Sequence, residues 1–146
     1  MKGVLYVIVA VALFVACGNG AKKKTVAEEK SQPTGDRVEV LYFHGAQRCV
    51  TCNAIEAETK ALLDSLYAQD VKAGKVVFKE IDISKKENEK LADKYEVTWS
   101  SLFVNGWKGG QETVNNMTDF AFSYVKAAPD TFRKGVREKV DSLLRQ

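Results

Sequence analysis

Two cysteines three residues apart, Cys49-Val50-Thr51-Cys52, are the residues of this 146-residue chain best suited to chemistry. They follow an apolar, β-branched run and precede a helical pattern, so the pair falls where a strand–loop passes into a helix. At a helix N-terminus the unpaired N–H groups and the macrodipole favour negative charge. That lowers the pKa of the first thiol and raises its thiolate fraction, and the thiolate is the attacking species in disulfide exchange. A spacing of three along the first turn brings the second sulfur within bonding reach. Cys49 is therefore expected to attack a partner disulfide, and Cys52 to resolve the mixed disulfide. A lone C-x-x-C is also half of a zinc site, but with no second cysteine pair and one histidine, a closed four-ligand site lacks donors. Soft metal or metalloid binding by the two thiolates stays open as an alternative. So does a structural disulfide in a non-enzymatic binding subunit, although so short a loop contributes little chain entropy.

The elements that must hold this pair can be read from periodicity. Val38 to Phe43 is a buried strand, followed by a loop from His44 to Arg48. From Val50 onward Ile55, Thr59, Leu62, Leu63 and Leu66 fall on one helical face. Gly74 breaks that helix, and Lys75 to Ile83 is a second strand. Ser84-Lys85-Lys86-Glu87 reads as a capping box for a short helix through Leu91, Ala92 and Tyr95. Val97 to Trp107 reads as a third strand, Lys108-Gly109-Gly110 as a turn, and Gln111 to Val114 as its return strand. Asn105-Gly106 is a competing turn site. Met117 to Ala127 is helical, Pro129 marks a break, and a last helix to about Leu144 carries Phe132, Val136, Val140 and Leu143 on one face. The order β, α, β, α, β, β, α, α implies an α/β fold: a parallel pair joined by a crossover, then an antiparallel hairpin in the same mixed sheet.

The N-terminus reads as an export signal. Lys2 supplies a positive start, Val4 to Val15 is almost unbroken apolar sequence, and Phe14-Val15-Ala16-Cys17 resembles a lipobox. Residues 1–16 are then a lipoprotein signal peptide, and Cys17 is the lipidated first residue of the mature chain. Residues 17–36 are polar, small and charged, a flexible tether, and 37–146 is the folded domain. With Cys17 consumed by lipid, Cys49 and Cys52 are left to pair in a compartment where disulfides persist. The net charge of +3 comes largely from Lys22-Lys23-Lys24, and no basic stripe or motif supports nucleic-acid binding.

Residues 37–146 resemble the thioredoxin-like superfamily in strand order and in the placing of the C-x-x-C. Tyr95-Glu96-Val97-Thr98-Trp99-Ser100-Ser101-Leu102 is similar to the stretch that leads into that family's cis-proline, which puts Ser101 at the proline position. Narrower still, Val40-Leu41-Tyr42-Phe43-His44-Gly45, Arg48 to Cys52 and Thr98 to Asn105 are similar to small bacterial lipoproteins labelled as the ArsF-type subunit of a nitrophenyl-compound nitroreductase. Family members usually carry Trp before the first cysteine and Gly-Pro within the pair. Here Arg48 and Val50-Thr51 stand there, and Tyr42 and Phe43 stand where an aspartate would assist the resolving thiol.

Five further residues are candidate supports. Arg48 is able to add positive potential, although a solvated arginine is the plainer expectation. His44 could shuttle a proton, or simply cap local backbone groups at the strand end. Trp99 is expected to cover the disulfide. Ser100 and Ser101 could donate hydrogen bonds beside the sulfurs or be ordinary strand residues. Glu56 and Glu58 read as solvated helix charges. The expected function is membrane-tethered thiol–disulfide exchange or electron transfer with a partner protein, a reductase being one such partner. The protein is expected to act as a monomer in the bacterial cell envelope, facing the periplasm or exterior. No cofactor or resident metal is expected. No Gly-rich nucleotide fingerprint is present, so any nitroreductase chemistry would belong to the partner.

Overall fold

The computed structural model describes residues 35–146. The lipobox-like stretch, Cys17 and nearly all of the expected tether lie outside the described residues. Among the described residues, four strands form one sheet in the order β2-β1-β3-β4. β1 (Arg37–His44) is central, because β-branched and aromatic residues occupy both of its faces. It pairs parallel with β2 (Val76–Asp82) and antiparallel with β3 (Ser101–Lys108), with Val40 opposite both Phe78 and Val104. β4 (Gln111–Thr113) pairs antiparallel with β3. The hairpin turn is Gly109-Gly110. Both glycines have positive φ, 56° and 80°, as the two-residue turn that follows strand twist requires. Asn105 and Gly106 instead lie inside β3, where a side chain on Gly106 would crowd Leu143.

Alternation along β1 divides the core in two. Val38, Val40 and Tyr42 face α1 (Val50–Leu66), α4 (Thr118–Tyr124) and α5 (Pro129–Leu144), packing with Ile55, Leu62, Leu63, Ala121, Phe132, Val136 and Val140. Leu41 and Phe43 face the other way, onto Ile81, Tyr95, Val97 and Phe103, with Leu91 of α3 (Glu89–Lys94) against them. A parallel β-α-β unit, an antiparallel hairpin on the far side of β1, helices on both faces and a C-x-x-C opening α1 together make the thioredoxin-like arrangement.

Three local expectations are corrected. The helix after Val50 stops at Leu66 and restarts as the short α2 (Ala68–Lys72), because Tyr67 turns inward and donates to Asp141 Oδ1 at 2.5 Å. Ser84 does not cap a helix. Its N–H and hydroxyl both donate to Asp82 Oδ1, at 3.0 and 2.6 Å, closing an Asx turn, and α3 begins only after a 3-10 turn at Lys86–Asn88. The third strand starts at Ser101 rather than Val97. Glu96, at φ +54°, ends α3 in a Schellman motif: Val97 N–H bonds Ala92 C=O and Glu96 N–H bonds Asp93 C=O.

Candidate functional site

Helix α1 begins where it does because Cys49 caps it. Cys49 is extended, at φ −76° and ψ 163°, and its sulfur accepts the Cys52 backbone N–H at 3.0 Å. This is the place an N-cap Ser or Asp oxygen usually takes, so sulfur holds one of the helix's four free donors. The two cysteines form a disulfide, with Cα atoms 5.0 Å apart. They are unequal in access: Cys49 is exposed, whereas Cys52 is only 7% exposed. An incoming thiolate therefore has one sulfur to attack. On reduction, the negative charge left on Cys49 sits at the positive end of α1 with an N–H already aimed at it.

Arg48, expected to be solvated, instead pairs with Glu56 across the side of α1, and both side chains are half-buried. Arg48 precedes the helix and Glu56 lies on its second turn, so the guanidinium reaches along the helix surface. Glu56 thereby partly neutralises the positive field that Arg48 brings to Cys49. Glu58 pairs with Arg133 of α5 at 2.5 Å, so it too is more than a solvated charge. His44 ends β1 and hydrogen-bonds the Gly45 carbonyl through Nδ1 at 3.0 Å, with its ring stacked on Tyr42. Since a carbonyl only accepts, Nδ1 carries the proton. Trp99 is 54% exposed and packs at a tilt against Phe122 of α4, ring centroids 5.1 Å apart. Ser101 is buried and donates to the Trp99 carbonyl at 3.0 Å.

Ser100 points to a residue that sequence reasoning passed over. Buried Ser100 lies near the phenol of Tyr42, whose Oη–H donates to the Cys52 carbonyl at 2.7 Å. Tyr42 is fully buried at the end of β1 nearest the disulfide. Burial pushes its pKa up and the Glu56 carboxylate adds to this, against the pull of Ser100 and Arg48. The phenol therefore keeps its proton and remains a donor. The available signal was a hydroxyl-bearing residue in phase with Val38 and Val40, on the face that receives α1.

No protein-family model matches the chain, and no curated protein matches it. Among solved structures, the chain is similar to thioredoxins. One from Fasciola hepatica is 22% identical over 73% of this chain and 81% of that one, with a TM-score of 0.45. One from Trichomonas vaginalis is 16% identical over 69% and 78%, with a TM-score of 0.46. One from Thermus thermophilus is 16% identical over 70% and 72%, with a TM-score of 0.44. The fold assignment rests on the strand order and register above, and the chemistry of the site on its own geometry. A cavity of about 200 Å³, lined by Arg37, Val38, Lys75, Trp107 and Leu143 among others, lies at the opposite end of β1 from the disulfide. Among the described residues, no three His, Cys, Asp or Glu side chains converge on a metal position.

Proposed function

We propose that the chain is a lipid-anchored carrier in a bacterial cell envelope that exchanges disulfides with a partner protein. The observation that carries the exchange reading is the asymmetry of the pair: an exposed Cys49 sulfur capping α1, bonded to a buried Cys52. The anchor is inferred from sequence alone, from the apolar run ending at Cys17. In the reducing direction, a partner thiolate attacks Cys49, the Cys49–Cys52 bond breaks, and Cys52 leaves as a thiolate that takes a proton from solvent. The partner's second thiolate then attacks the partner sulfur of the mixed disulfide and releases Cys49 as thiolate. Two electrons pass to the pair and the partner ends as a disulfide. The same steps reversed oxidise this chain and reduce the partner. Both sulfurs come from one chain, so the exchange site needs no second copy. The resemblance to nitroreductase-subunit lipoproteins fits a partner that performs its own chemistry.

Alkylation of the reduced protein tests the assignment. Cys49 is expected to react well before Cys52, with a midpoint on the pH–rate curve below the value of about 8.5 for a free thiol. Equal rates at the two cysteines, or a Cys49 midpoint at or above 8.5, would count against it.

A further inference from the structure

We infer that Tyr42 is a brace that positions the resolving cysteine, by fixing the Cys52 backbone to the sheet. The inference rests on the exchange reading above. Tyr42 Oη–H holds the Cys52 carbonyl at 2.7 Å, and both residues are buried. This bond joins the end of β1 to the first turn of α1. A carbonyl in the first turn of a helix already has the N–H four residues on as its partner. The Tyr42 bond is therefore additional to what α1 needs, and it acts on the residue whose sulfur must find Cys49.

The brace matters in the half-reaction that closes the pair. With a partner bound to Cys49, the Cys52 thiolate attacks the Cys49 sulfur. The Cys49–Cys52 bond forms, the bond to the partner breaks, and the partner leaves as a thiolate that solvent protonates. The rate and equilibrium of this step depend on the effective concentration of Cys52 at Cys49. Each rotation denied to the Cys52 backbone in the dithiol state removes entropy that ring closure would otherwise have to take out. Without the brace the dithiol is freer, and the disulfide is less favoured relative to it.

The test is the equilibrium between the full chain and glutathione, measured together with the stability of the oxidised and reduced forms. Tyr42→Phe is expected to shift the equilibrium constant about three- to tenfold toward the dithiol, the effect of one hydrogen bond. It is also expected to lengthen the life of the mixed disulfide by a similar factor. Tyr42→Met, which removes the same hydroxyl but keeps a long, adaptable apolar side chain, should shift the constant in the same direction by a similar factor. It carries the test if Tyr42→Phe fails to fold. Tyr67→Phe is the control, since that phenol bonds Asp141 at the far end of α1. It should lower stability and leave the equilibrium unchanged. If Tyr42→Phe destabilises both forms equally with no change in the constant, or if Tyr67→Phe shifts it as much, the brace is only packing and the exchange reading survives. If the wild-type chain does not equilibrate with glutathione at all, both fall.

Discussion

Cys49→Ser is expected to abolish thiol–disulfide exchange, a loss on the order of 10³-fold or more, because a serine hydroxyl cannot replace a thiolate as nucleophile or as leaving group. The expected phenotype of Cys52→Ser is different. Its Cys49 thiolate still attacks, but nothing resolves the adduct, so the protein accumulates as a mixed disulfide with its substrate. The contrast follows from access, since Cys49 is exposed and Cys52 is not. Serine at position 49 retains an oxygen able to cap the Cys52 N–H, so α1 should keep its start and circular dichroism should change little. Intact-mass spectrometry after incubation with a peptide disulfide reads both outcomes. Adduct on Cys49→Ser in place of Cys52→Ser would reverse the roles.

The largest expected effect on stability lies at the other end of β1. Glu39 is 2% exposed and accepts from Arg37 Nε at 2.9 Å and Lys79 Nζ at 3.1 Å. Arg37 is itself buried, donates to the Gly35 carbonyl at 3.0 Å and lies over the Trp107 ring at 4.7 Å. Glu39→Ala leaves that guanidinium without a carboxylate. Breaking such a buried pair from one side costs about 3–5 kcal/mol, and the remaining Arg37 contacts favour the lower end. Domains of this size have roughly 5–15 kcal/mol in total, so urea denaturation should show a large fall in midpoint.

Acid titration separates charge from shape at the same position. Burial pushes the Glu39 carboxyl up, but the hydrogen bonds and charges of Arg37 and Lys79 together outweigh this and hold it below the usual carboxylate range. With a folded pKa below the unfolded value of about 4.3, ionised Glu39 stabilises the fold fully above that value. The contribution is lost as pH falls through the folded pKa. The stability difference between wild type and Glu39→Gln should therefore be constant above about pH 5 and shrink below about pH 4. A difference that stays flat or grows in acid would mean the carboxylate is not held by its cations.

The parts of the fold that sequence disclosed are those set by periodicity or by unusual residues. The alternation in Val38 to Phe43, the helical stripe through Phe132, Val136, Val140 and Leu143, and the paired glycines at 109 and 110 each have one low-energy solution. What failed were choices between near-equal local partners. Ser84 could cap a helix or bond Asp82, and the acceptor two residues back won. Glu96 takes a left-handed conformation that sequence reserves for glycine or asparagine, so the break before Ser101 left no signal. In the site, the cysteines were legible because spacing alone brings their sulfurs together. Arg48 and Glu56 were not, since Arg48 lies outside the helix and i,i+4 reasoning does not reach it. Tyr42 was legible as a core-facing residue, but only tertiary packing places its hydroxyl on the Cys52 carbonyl.

Redox titration of the Cys49–Cys52 pair in glutathione or dithiothreitol buffers tests the central claim most directly. An exchange pair should reduce and reoxidise reversibly as a two-electron couple between about −120 and −270 mV, the span of thioredoxin-fold exchange proteins. A potential below about −300 mV, or no reversible reduction, would identify the bond as a structural crosslink and contradict the account.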